Sequence, residues 1–216
     1  MATLPLFPLA TVLMPGGRLP LQIFEPRYLQ LLRDLLDGQE ERSPVFGVVA
    51  IREGFEVGEG GVRALHAVGC GALLTQAAAL EDERLLVVSE GTDRFRLDAI
   101  DEQAGTAYTT ARVTWLTEPK GDAATVIQLA RLLRAEISAF AAAVGGEAEI
   151  PSDDRSLAYA VADVVSLGVA DRQRLLASSD TESRLRLGLQ LVRREREFAS
   201  ALGAVAEPPI PPFSLN

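Results

Sequence analysis

The hydrophobic pattern of this chain changes period once, near residue 120, and that change limits the folds open to it more than any other feature. Up to about residue 118 short apolar runs alternate with glycine- and proline-rich turns, as strands do. From residue 123 the apolar residues recur every three or four positions, which lines them up on one face of successive helices. A chain that is strand first and helix afterwards is an α+β protein whose sheet and helices are segregated. The organisation predicted is a strand-rich domain 1–118, a helical subdomain 119–206 and a proline-rich tail 207–216.

Within the first segment, residues 4–9, 19–24, 45–51, 68–74, 84–89, 94–100 and 108–116 read as strands. So many short strands between turns suggest a small barrel or a curled sheet. Pro5 and Pro8 place the first strand at an edge, because proline donates nothing to a central ladder. Met14-Pro15-Gly16-Gly17 predicts a type II turn. One helix interrupts the strands at 25–38, with Pro26 in its first turn and Gly38 at its end. Its Tyr28, Leu31, Leu32 and Leu35 form an apolar stripe to lie across the sheet. Residues 52–63 hold four glycines and predict a mobile hairpin tip. In the second segment, helices are expected at 123–144, closed by Gly145-Gly146, and at 152–167, capped by Ser152. A short helix follows at 171–177, and the capping box Ser179-Asp180-Thr181-Glu182, with Ser179 as the cap, opens the last. These helices make a small bundle.

Composition excludes several kinds of chemistry. Lys and Arg number 21 against 30 Asp and Glu, a net charge of −9. That is the wrong sign for a phosphate backbone or an anionic bilayer. Up to residue 118 there are 10 basic and 17 acidic residues, so the strand-rich part carries most of the excess. One cysteine, Cys70, and one histidine, His66, cannot build a Cys/His zinc site. If 65–71 is one extended strand, these two side chains share a face about 13 Å apart, too far for a nucleophile and its base. The lone lysine, Lys120, lies in Glu118-Pro119-Lys120-Gly121, which is neither a P-loop nor a setting for a Ser-Lys dyad. No cofactor is expected. No apolar run is long enough to span a bilayer, and Met1-Ala2-Thr3 lacks a basic leader, so the expected location is cytoplasmic.

Leu4-Pro5-Leu6-Phe7-Pro8-Leu9, followed by Met14-Pro15-Gly16-Gly17 and Ile23-Phe24-Glu25-Pro26-Arg27-Tyr28, resembles the opening of the Lon protease N-terminal, substrate-binding domain family. Phe46-Gly47-Val48-Val49, Val68-Gly69-Cys70-Gly71, the Gly91 to Leu97 stretch, Asp171 to Leu176 and Arg184-Leu185 extend the likeness to about residue 200. The resemblance implies a PUA-like β-barrel with one crossing helix, followed by a small C-terminal α-helical bundle. It also implies recognition of protein substrates. ATP hydrolysis and proteolysis belong to other domains of Lon, so the chain looks like the standalone members of the family.

Seven residues stand out as candidate peptide-binding or motif-structural positions: Phe7, Phe24, Glu25, Arg27, Tyr28, Arg94 and Phe95. Phe7, Phe24 and Tyr28 are expected to fill the seam between helix and sheet, and Arg94 to pair with a carboxylate such as Glu25. The functional expectation is a non-catalytic module that binds unfolded or extended polypeptides, in association with a separate protease or as a weak homo-oligomer, with an open strand edge accepting an added strand. The alternative is a small-molecule enzyme or ligand-binding protein using carboxylates of the strand-rich domain.

Overall fold

A computed structural model describes residues 2–37, 43–54, 62–80, 82, 84–202 and 214–215. They fall into two compact units, one of described residues up to Leu116 together with the last short strand, the other beginning at Thr117. The first is a sheet with one helix: β1 (Ala2–Leu9), β2 (Arg18–Ile23), α1 (Pro26–Asp37), β3 (Val45–Gly54), β4 (Val62–Leu65), β5 (Val68–Ala79), β6 (Leu85–Ile100), β7 (Thr110–Trp115) and β8 (Ser214–Leu215). The second holds α2 (Ala123–Ala143), α3 (Asp154–Val164), α4 (Val169–Ala177) and α5 (Thr181–Leu202). The protein is thus mixed helix and sheet, with strands predominating up to Trp115 and helices from Ala123, α1 and β8 being the exceptions.

β1 is not an edge strand. Its first half, Ala2 to Pro5, pairs antiparallel with β7, and its second half, Leu6 to Leu9, pairs parallel with β3. Each half therefore has one neighbour, and a proline breaks no ladder bond where its nitrogen faces the unpaired side. β3 pairs on with β5, β5 with β6, and β6 with β7, so β1, β3, β5, β6 and β7 are paired in a ring. β4 flanks β3, and β2 flanks β6. Residues 84–89 and 94–100, expected as two strands, are one strand, β6. Gly91 sits in the ladder rather than in a turn, its N–H donating to the Gly17 carbonyl and its own carbonyl accepting from Gly16. β5 follows β6 along this length by taking register shifts between Cys70 and Ala72 and between Leu74 and Gln76. The hairpin tip expected at 52–63 falls mainly on residues outside the described set, as does the proline-rich tail. The two described residues of that tail, Ser214 and Leu215, lie parallel to β2 opposite Leu21 and Gln22.

The turn after β1 follows from its residues. Gly16 has φ +77°, and the Gly17 N–H donates to the Met14 carbonyl at 2.9 Å, the type II arrangement that Pro-Gly favours. Leu4 and Leu6 of β1, Val49 of β3, Phe95 of β6, and Ala111 and Val113 of β7 form one buried apolar cluster. Phe95 fits there because β3 and β5 pass it as glycines: a Cβ on Gly47 would lie 2.9 Å from its ring, and one on Gly69 closer still. The segment between β4 and β5 bends at His66 and Ala67, so His66 and Cys70 do not share one strand as expected. Cys70 is fully buried.

In the helical unit, all three long helices start at aspartate. Asp122, Asp153 and Asp180 accept from the backbone N–H of Thr125, Ser156 and Ser183 at 2.8, 2.8 and 2.7 Å. The caps lie one residue beyond Ser152 and Ser179, where a carboxylate both accepts the free N–H and meets the positive helix end. Gly145, at φ +73°, closes α2. Leu133, Ile137, Leu157, Val161, Leu185 and Val192 are fully buried between the helices. At one edge of this core lies a buried cation. Arg184 donates to the carbonyls of Leu175 and Ser178 and to Glu118 at 3.2 Å, and its guanidinium lies 4.2 Å from the Tyr159 ring centre. Tyr159 donates its hydroxyl to the same carboxylate at 2.7 Å.

Candidate functional site

The seven residues singled out by sequence separate into three places. Phe7, on β1, stacks on Tyr28 of α1 with ring centres 3.9 Å apart, and Phe46 of β3 leans on the other end at 5.9 Å. Arg27 covers Tyr28 at 4.5 Å and pairs with Glu25 at 2.8 Å. Phe7 and Tyr28 are 0% and 2% exposed, so this stack joins α1 to the sheet and offers no face to a ligand. Glu25, one carboxylate suggested for Arg94, is thus paired with Arg27 through one of its oxygens.

Phe24 does not belong to that seam; it is 41% exposed. The period of two explains it. Leu19, Leu21 and Ile23 of β2 are buried, so Phe24, next in the alternation, points the other way. Arg94 and Phe95, on β6, are both buried. Phe95 meets Trp115 of β7 edge to face, with ring centres 6.0 Å apart.

Trp115 leads to the feature that sequence reasoning missed. On the sheet unit lies an open cleft of about 700 Å³, within the size range of ligand sites. One wall is the start of β1 with Val45 of β3 and Leu73 of β5; another is the end of α1 at Asp34 and Leu35; β6 supplies Thr92 and Asp93, and Tyr108 and Trp115 complete it. Leu35, Val45 and Leu73 are half-buried, and Trp115 is exposed. The floor is tightly made. Gly71 lies beneath Thr92 and Trp115, where a Cβ would come within 2.5 Å of the Thr92 hydroxyl and 3.1 Å of the indole. The Cys70 thiol bonds toward the Gly71 and Thr92 carbonyls.

Asp34 accepts from the Tyr108 hydroxyl at 2.9 Å and from the Gln30 amide at 2.7 Å. Burial first, and then that bond to Asp34, push the Tyr108 phenol up to about 12. It stays protonated at neutral pH and serves as a donor, not a base. Among the described residues the lining includes two carboxylates and no Arg, Lys or His. Among the described residues no cluster of three or more His, Cys, Asp or Glu is placed to hold a metal ion, and no helix is long and apolar enough to cross a membrane. The cleft can therefore seat an apolar chain between aromatic and aliphatic walls and present negative charge to it. Its lining comes from seven separate stretches of the chain and carries no contiguous motif, so no local signal in the sequence marks it.

A family model described as the ATP-dependent protease La (LON) substrate-binding domain matches residues 3–194. Among similar proteins, Lon protease 2 of Myxococcus xanthus is 28% identical over 205 residues, which is 90% of this chain and 24% of that protein. Lon protease of Anaeromyxobacter dehalogenans is 27% identical over 207 residues, 91% of this chain and 24% of that protein. The chain thus spans about a quarter of the length of the curated relatives it matches. Among solved structures, a Lon N-terminal domain protein from Xanthomonas campestris superposes with a TM-score of 0.60 at 25% identity, covering 89% of this chain and 98% of that one. The N-terminal domain of the Mycobacterium avium complex Lon protease gives a TM-score of 0.65 at 17% identity with the same coverage, a likeness of fold.

Proposed function

The chain belongs to the Lon substrate-binding domain family, and from that premise we propose that it is a non-catalytic module that recognises unfolded or extended polypeptides. The ring of five strands is, in this reading, a PUA-like β-barrel crossed by α1, within a domain 1–118 that is followed by a helical subdomain 119–206. The observation that carries the proposal is the cleft beside Trp115. It is large enough for a few side chains, its walls are half-buried apolar groups, and its one phenol is held protonated. Apolar walls without an assembled nucleophile and base suit binding rather than turnover. The net charge of −9 favours protein over nucleic acid as the partner. Affinity is weak, because a shallow site with one aromatic anchor supplies few energetic contacts. Polypeptides held in this way include those passed on to a separate protease in the cytoplasm.

Trp115 is the sole tryptophan, so intrinsic fluorescence reports on the cleft alone. Titration with an unfolded, tryptophan-free polypeptide is expected to shift and quench its emission, while the same polypeptide when folded leaves it unchanged. A labelled polypeptide whose anisotropy does not rise with protein concentration refutes binding. A rise in anisotropy with unchanged Trp115 emission moves the site elsewhere.

A further inference from the structure

We propose that the cleft selects polypeptide segments carrying a cationic side chain, arginine or lysine, set among apolar residues. The inference rests on the polypeptide-binding reading above and adds to it a class of substrate. Its basis is the charge of the lining. Asp34 stands at the end of α1 with its carboxylate held by two neutral donors, Tyr108 and Gln30. No Arg or Lys among the described residues lies within ion-pair distance of it. Neutral hydrogen bonds fix the direction of a carboxylate but leave its charge in place. Asp93 adds a second carboxylate, and the described lining residues include no Arg, Lys or His.

The remaining walls match the rest of such a side chain. Arginine and lysine carry an apolar stem behind a charged head. Leu35 and Leu73 are half-buried and offer surface to a stem. Trp115 is 41% exposed, and an indole face attracts a cation more strongly than the other aromatic rings do. An acidic segment meets the opposite situation, since each added carboxylate faces Asp34 and Asp93 across an apolar floor. The acidic excess of the strand-rich half, −7 up to residue 118, raises encounter rates with basic segments in the same direction.

The experiment compares three tryptophan-free peptides, Ala-Leu-Arg-Leu-Ala, Ala-Leu-Gln-Leu-Ala and Ala-Leu-Glu-Leu-Ala, all acetylated and amidated, using Trp115 emission on the full chain. The arginine peptide is expected to bind roughly fivefold to tenfold more tightly than the glutamine peptide at low salt, an advantage that shrinks at about 0.5 M salt. The glutamate peptide binds most weakly. Asp34→Asn, which keeps an acceptor for Tyr108, is expected to remove more than half of the arginine peptide's advantage over the glutamine peptide, with Asp93→Asn as a second variant. Equal binding of the arginine and glutamine peptides, or an advantage intact in both variants, overturns the charge selection and leaves polypeptide binding standing. Absence of binding by all three peptides and by the unfolded polypeptide overturns both.

Discussion

Replacing Arg184 by methionine tests how strongly the helical unit depends on one buried charge. The side chain is fully buried and donates to two main-chain carbonyls and to Glu118, whose own side chain is 11% exposed. Removing one member of a buried ion pair costs about 3–5 kcal/mol, because the other charge keeps its desolvation penalty. Methionine fills most of the space and retains a contact with the Tyr159 ring, worth about 0.3–1.5 kcal/mol. The expected net loss is therefore about 3 kcal/mol, a large share of the roughly 5–15 kcal/mol that holds a domain folded. For a chain of this size each kcal/mol moves the melting temperature by about 2–4 °C, so a drop of roughly 6–12 °C is expected. Far-ultraviolet circular dichroism follows the helices, while Trp115 emission follows the sheet unit separately. Adding Glu118→Gln removes the carboxylate charge, and the double variant is expected to be more stable than the sum of the two single losses predicts. A single variant within about 1 kcal/mol of the parent, or strict additivity in the double variant, refutes the reasoning.

Gly69→Ala brings a Cβ to 2.6 Å from the Val48 carbonyl as well as onto Phe95, and since main chain cannot yield as a side chain can, a loss of about 1–3 kcal/mol is expected in denaturant titration. The caps set an acid limb. Asp122 and Asp153 are lowered from the ordinary aspartate value mainly by the backbone N–H each accepts, and Asp180 first by the Ser179 hydroxyl and then by Ser183. Folded values below unfolded ones mean stabilisation that is complete above the ordinary aspartate range and lost as pH falls through the depressed values. Asp153→Asn, which still caps, is expected to flatten the fall of helical-unit stability below about pH 4, and an unchanged slope removes Asp153 from that account. Cys70 is the lone thiol and is fully buried, so a thiol reagent is expected to label it only as the sheet unit opens, and fast labelling under native conditions contradicts its placement.

The change of period near residue 120 was legible because core-facing residues repeat every two positions in strands and every 3.6 in helices. The described elements change accordingly from β7, ending at Trp115, to α2, starting at Ala123. The Pro15-Gly16 turn and the end of α2 at Gly145 were legible for a similar reason, since each depends on one backbone conformation that few residues adopt. Pro5 and Pro8 misled because proline forbids a donor on one side of a strand, not a neighbour on the other. The caps were displaced by one residue because serine and aspartate compete for the same role and both stand at these helix starts. Arg184 appears in the sequence as one arginine among many on a helix, and only the packing of α3, α4 and the segment at Glu118 reveals that it is buried. The cleft lay beyond reach, as Asp34, Tyr108 and Trp115 gain their meaning from strand pairings that no local pattern encodes.

The split pairing of β1 has a consequence for how the molecule is made. Residues 2–5 wait for partners at 110–113, and residues 6–9 for partners at 47–50, so β1, made before every other described strand, is among the last to find a complete set of neighbours. Synthesis at about 5–20 residues per second leaves that apolar segment uncovered for several seconds. The helical unit, whose helices pack on close sequence neighbours as well as distant ones, faces no comparable delay in its local contacts, and high contact order slows the sheet unit relative to it. Nascent chains arrested before β7 emerges should be captured by chaperones through Leu4-Pro5-Leu6-Phe7, and those arrested after it should not.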